Sequence, residues 1–89
     1  MREHDLKIWP VYFEAVVRGA KTYEFRRNDR DFQVGDKLIL REWSPESKEY
    51  TGRSTVRTIG FISDTMHSAV WGEGMILSLV DAPAPVVAG

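Results

Sequence analysis

Only one stretch of this chain has apolar residues at helical spacing, and it is short. Tyr12, Phe13, Val16 and Val17 lie between Pro10 and Gly19. Proline suits a first helical turn, where its missing N–H is no loss, and glycine suits a helix stop. The spacing predicts a helix of about ten residues with Glu14 and Arg18 on its wet side. Residues 5–8 and 22–27 alternate apolar with polar side chains, the two-residue period of a strand, and 37–43, 54–63 and 75–81 read as three further strands. Within 22–27, Tyr23 and Phe25 face one way while Thr22, Glu24 and Arg26 face the other. Val34-Gly35-Asp36 reads as a tight turn, 44–52 as an exposed hairpin loop, 64–74 as a loop, and Gly60 as a bulge. One helix placed early among five strands predicts an α+β domain built as a small five-stranded β-barrel with one short N-terminal helix. That domain would span residues 1–81, with 82–89 a flexible tail.

A chain of 89 residues has room for one modest core. It contains no cysteine, which removes disulfide scaffolds, thiolate metal sites and cysteine nucleophiles. His67 has no second histidine at ligand spacing, so neither a metal nor another cofactor is expected. No apolar run approaches a membrane span, and residues 1–5 lack the apolar stretch of a signal peptide, so a cytoplasmic protein without membrane contact is expected.

Formal net charge is −1, which argues against a long, non-specific nucleic-acid footprint. The charge is uneven, however. Residues 1–41 hold 9 basic and 7 acidic side chains, whereas 42–89 hold 3 and 6. Between Arg18 and Arg30, five cations face only Glu24 and Asp29. A patch this small suits a small anionic ligand. Inside it lies Gly19-Ala20-Lys21-Thr22-Tyr23-Glu24-Phe25-Arg26, the spacing G-x-K-x-x-E-x-R. The glycine turns the backbone sharply and can leave N–H groups free for an anion. Glu24 and Arg26 share a strand face, where a guanidinium offers a planar fork to phosphate and a carboxylate accepts from an amine.

This spacing resembles the signature of ASCH domains, small barrels related to the PUA fold of RNA-modifying proteins. The flanking runs, His4-Asp5-Leu6-Lys7-Ile8 with Tyr12-Phe13 before it and residues 26–36 after it, are similar to an uncharacterised ASCH-like family of bacteria and their phages. The resemblance covers residues 4 to about 80. It implies a PUA-like (ASCH) barrel with Lys21, Glu24 and Arg26 in a cleft that binds RNA or a nucleotide, and His4 and Lys7 at its rim. One relative is a small amidohydrolase of acetylated cytidine, using a lysine, a threonine three residues later and a distant glutamate. Lys21 matches the lysine, but Glu24 stands where that threonine would be, and Glu73 is the best-placed distant carboxylate.

Three functions stay open. The first is an RNA- or nucleotide-binding domain, with Arg27 or Arg30 extending the anion patch and Trp71 stacking on a base. The second is a hydrolase of a modified nucleoside, with Lys21 as general base or activated amine and Glu24 as its acid–base partner. The third is a protein-interaction module using the apolar tail. Bland alternatives are a solvated strand face for Lys21, Glu24 and Arg26, an exposed His4, and a polar loop around Arg27 and Arg30. The oligomeric state is not legible.

Overall fold

The computed structural model describes residues 2–27, 30–64 and 74–80, so Trp71, Glu73, His67 and the expected tail lie outside the described residues. Strand β1 (Glu3–Ile8) leads into helix α1 (Pro10–Val17), followed by β2 (Tyr23–Arg26), β3 (Lys37–Ser44), β4 (Glu49–Asp64) and β5 (Met75–Val80). Trp9 remains extended, and its carbonyl accepts from the N–H groups of Tyr12 and Phe13, which starts the helix at Pro10. Eight residues cannot hold a helix in water unaided. Burial of Phe13 and Val16 supplies the rest. Gly19 ends the helix at φ 83°, donating to Val16 O while Ala20 N–H donates to Ala15 O. This double closure is a Schellman motif, and it makes the helix shorter than its apolar spacing predicts.

The five strands form one mixed sheet in the order β1-β3-β4-β5-β2. β1 runs parallel to β3, and the other neighbouring pairs are antiparallel. The expected five strands and single short helix are present. The sheet is not closed into a barrel, because no ladder joins β1 to β2 among the described residues. Leu6 and Ile8 of β1, Leu38 and Leu40 of β3, Ile59 of β4 and the alternate residues Met75, Leu77 and Leu79 of β5 form the core with Phe13, Val16 and Phe32. The exposed hairpin loop expected over 44–52 is present but shorter: Lys48 N–H donates to Ser44 O with Lys48 at φ 57°, and pairing resumes at Glu49. The register of β4 against β5 slips between Ile59 and Phe61, which puts an irregularity at Gly60 as expected.

One carboxylate ties the start of the sheet together. Asp36 closes a turn by donating its N–H to Gln33 O, with Gly35 between them at φ 97°. Its side chain accepts from the N–H groups of Gln33 and Arg2 and lies 2.9 Å from His4 Nε2. An ionised carboxylate only accepts, so Nε2 carries the proton. Both side chains are buried, and the imidazole packs on Phe32. Asp36 O also accepts from Ile59 N–H, so one residue joins β1, the turn and β4.

Burial pushes the Asp36 carboxyl up, but the His4 hydrogen bond, the two backbone N–H groups and the His4 charge outweigh it and hold the group below the usual carboxylate range. Its stabilising contribution is therefore complete above the unfolded value near pH 4 and disappears as pH falls through the depressed folded value. Asp36→Asn is expected to lower stability by about 1.5–3 kcal/mol at neutral pH. It should also flatten the acid limb of the stability curve below about pH 4. Urea melts across that range measure both effects.

Candidate functional site

A cleft of about 450 Å³ opens between β1 and β2. Lys7, Ile8 and Trp9 line it at the end of β1, Tyr12 on α1, and Lys21 with residues 23–26 from the opposite side. Glu24 is its most enclosed charged group, only 6% exposed. On β2, Glu24 stands opposite Leu77 and Arg26 opposite Met75, both core residues of β5, so the acid and the base occupy the inward face of the strand. A solvated strand face does not describe them.

The charges are matched at close range. Lys21 Nζ donates to Glu24 Oε1 at 3.1 Å, while Arg26 Nε and Nη2 reach Oε2 at 2.7 and 2.6 Å. A carboxylate offers about four acceptor sites, so Oε1 keeps capacity for a donor on a ligand. Trp9, Tyr12 and Tyr23 are each about half exposed around this group. The Lys21 ammonium lies 4.6 Å from the Tyr23 ring centroid and 5.9 Å from that of Tyr12. Lys7 sits 4.3 Å over Trp43.

The cations also serve the backbone. Arg2 O accepts from β3, so the alternate carbonyls of Asp5 and Lys7 point to the other edge of β1. There Arg30 Nη1 donates to Asp5 O and Arg26 Nη2 to Lys7 O, both at 2.7 Å. On β2, Thr22 O pairs with Leu79, which leaves Tyr23 O on the free edge, where Lys21 Nζ takes it at 2.6 Å. The N–H groups of Gly19, Ala20 and Lys21 all donate to helix carbonyls. The expectation that Gly19 leaves N–H groups free for an anion is therefore corrected: the Schellman closure uses them.

Lys7, Lys21, Glu24 and Arg26 thus meet in one cleft, as the resemblance implies. Arg27 and Arg30 line a smaller pocket of about 150 Å³ that shares Arg26 with the cleft. His4 does not reach the cleft rim: it lies in the core against Asp36, because β1 turns it to the Leu6 face. Trp71, the expected stacking residue, and Glu73 lie outside the described residues. The aromatic walls are instead Trp9, Tyr12 and Tyr23. Periodicity assigns Tyr12 to the apolar stripe of the helix and Tyr23 to the face away from Glu24. A cleft along a sheet edge is lined from both faces, so period two does not decide its membership.

A second recess of about 450 Å³ is lined by Arg41, Arg53, Asp5 and Tyr50. Its cations are matched: Arg41 by Asp5, Arg53 by Glu42 and Glu14. The Arg53 hydrogen bond, followed by that of Thr51, holds the buried Glu42 carboxyl below its ordinary range, and the same pairing raises Arg53. Register slips at Glu42, so Thr51, Gly52 and Arg53 bulge over it. This ion-pair node braces the hairpin to α1 and has no surplus charge to offer. Among the described residues no group of three or more acidic or histidine side chains could hold a metal, and no helix is long and apolar enough to cross a membrane.

Residues 3–79 match the family model described as a domain of unknown function, DUF3850. Over 61 residues the chain is 39% identical to an uncharacterised 12.9 kDa protein in the GpA 3′ region of Escherichia phage P2. The aligned segment is 68% of this chain and 54% of that relative, so the chain spans about half the relative's length.

The enclosed ion pair makes a measurable claim. Exposed pairs couple by about 0–1 kcal/mol. A double-mutant cycle on Glu24→Gln and Arg26→Gln, read by urea unfolding, should give a coupling of about 1–2 kcal/mol, because Glu24 is shielded while Arg26 is only partly so.

Proposed function

Because the chain belongs to the DUF3850 family, a domain of unknown function, its own geometry must carry the reading, and we propose that the cleft binds RNA or a nucleotide. The supporting observation is an enclosed carboxylate held between Lys21 and Arg26 and ringed by half-exposed aromatic faces. A base stacks on Tyr12, Tyr23 or Trp9, and Glu24 Oε1 accepts from its amino or imino edge. Lys21 and Arg26 meet its oxygens or an adjacent phosphate. Each of these contacts uses a group whose partner is already in place, so binding needs little rearrangement. The likeness of Gly19 to Arg26 to the ASCH signature agrees with this reading, and an open sheet whose two edges are bridged by arginine is compatible with a PUA-like barrel. The volume lies within the usual range for small-ligand sites, roughly 300–1,000 Å³.

Amide chemical-shift titration with cytidine, an acylated cytidine, a nucleoside monophosphate and a short single-stranded RNA tests the proposal. Saturable shifts clustered on residues 7–9, 12 and 21–26 are expected. Tyr23→Ala should weaken binding by about 5- to 100-fold, the usual worth of one base–aromatic stack. No localised shift with any ligand would remove the nucleic-acid reading. New product peaks from the acylated nucleoside would make the Lys21–Glu24 pair catalytic and put the hydrolase in its place.

A further inference from the structure

Beside the aromatic cleft lies the smaller pocket formed by Arg26, Arg27 and Arg30 over the buried side chains of Leu6 and Phe32. We propose that this pocket is a phosphate subsite, so that the ligand is a phosphorylated nucleotide, free or within a strand, rather than a nucleoside. The inference rests on the nucleotide-binding reading of the cleft and adds the group that reading leaves unassigned.

Size, charge and connection carry it. At about 150 Å³ the pocket has one third of the volume of the cleft, room for a tetrahedral oxyanion but not for a base with its sugar. Among the described residues that line it, three of five are arginines and none is acidic. The nearby Asp31 carboxylate is turned to Arg2 and Gln33. Among the described residues Arg27 makes no hydrogen bond or ion pair, and Arg30 commits only Nη1, to Asp5 O. Both keep planar donor forks of the kind that grip phosphate bidentately. The apolar floor of Leu6 and Phe32 excludes water on one side, which strengthens charge–charge attraction there.

Arg26 connects the two cavities. It lines both, and among the described residues its Nε and Nη2 are engaged by Glu24 and Lys7 O while Nη1 has no partner. A ligand with its base against Tyr12 or Tyr23 and its phosphate beside Arg26 would span the two without moving the β1 edge. Among the described residues lining the two cavities, Lys7, Lys21, Arg26, Arg27 and Arg30 stand with one carboxylate, Glu24, on a chain whose total charge is −1. Concentrating cations this way raises the local concentration of an anion without making the whole surface basic.

Calorimetric titration of the full chain with uridine, its 5′- and 3′-monophosphates, the dinucleotide and inorganic phosphate tests the assignment. A monophosphate or the dinucleotide should bind at least about tenfold more tightly than the nucleoside. A preference for the monophosphate indicates a terminal monoester, and equal affinity for the dinucleotide indicates a diester within a strand. Arg27→Glu, at a side chain with no described partner, and Arg30→Ala should each shrink the phosphate advantage, and the double variant should bring it close to one. Equal affinity for nucleoside and phosphorylated ligands overturns the subsite while leaving the cleft standing. So does a phosphate advantage that survives in folded Arg27→Glu. Failure of every ligand to bind defeats the cleft itself.

Discussion

A five-stranded sheet that does not close leaves two edges whose backbone carbonyls need donors, and this chain meets that need with cationic side chains. Arg26 and Arg30 take Lys7 O and Asp5 O on β1, and Lys21 takes Tyr23 O on β2. Unpaired edges invite strand addition from other molecules, and charged side chains laid along them discourage it. Here the same side chains line the space between the edges. The cleft and its surplus of positive charge are therefore consequences of how the sheet ends. Glu24 belongs to the same solution, since a carboxylate on the inward face steadies Lys21 and Arg26 while they reach the carbonyls.

That arrangement depends on β1 being held in the right place, and β1 is attached to the sheet by a parallel ladder to β3 alone. Parallel neighbours cannot be joined by a hairpin, so α1, β2 and the following loop intervene between them. Asp36 compensates at the far end of the ladder, where its carboxylate fixes Arg2 and His4 and its carbonyl fixes Ile59. A buried carboxylate is costly unless its oxygens are satisfied, and here a histidine and two backbone groups satisfy them. Glu42 plays a similar part at the other end, with Arg53 bridging it to Glu14 on α1. The three buried carboxylates among the described residues thus have separate duties: two fix strands, and one faces the cleft.

Charge alone does not mark a site, as the cleft and the recess beside Arg41 and Arg53 demonstrate. Both measure about 450 Å³ and both contain two or more cations. Around Arg41 and Arg53 every guanidinium has a carboxylate partner, so the field is cancelled locally. Among the described residues, Lys21 and Arg26 share a single carboxylate, and no acidic side chain lines the pocket of the neighbouring arginines. An exposed anion would therefore be drawn to one recess and not to the other. Salt should weaken that attraction at the exposed rim more than beside Glu24, where solvent is largely excluded.

Local sequence alone determined most of the elements. Period-two alternation marked the first two strands because a pleat turns successive side chains to opposite faces, and Pro10 and Gly19 bounded the helix through backbone constraints that act within a turn. Gly60 and the Val34-Gly35-Asp36 turn were legible for the same reason. The G-x-K-x-x-E-x-R spacing likewise brought Glu24 and Arg26 together, since residues two apart share a face of a strand, and Lys21 reaches Glu24 from just before the strand. Tertiary structure decided the rest. It put Glu24 inward and Tyr23 outward, sent His4 to Asp36 instead of the cleft, and made Trp9 and Tyr12 walls of a site they precede by many residues. Alternation separates the two faces of a strand but does not say which one meets the core. That choice follows from which strands pair and where the sheet stops, and both are set by contacts between residues far apart in the chain.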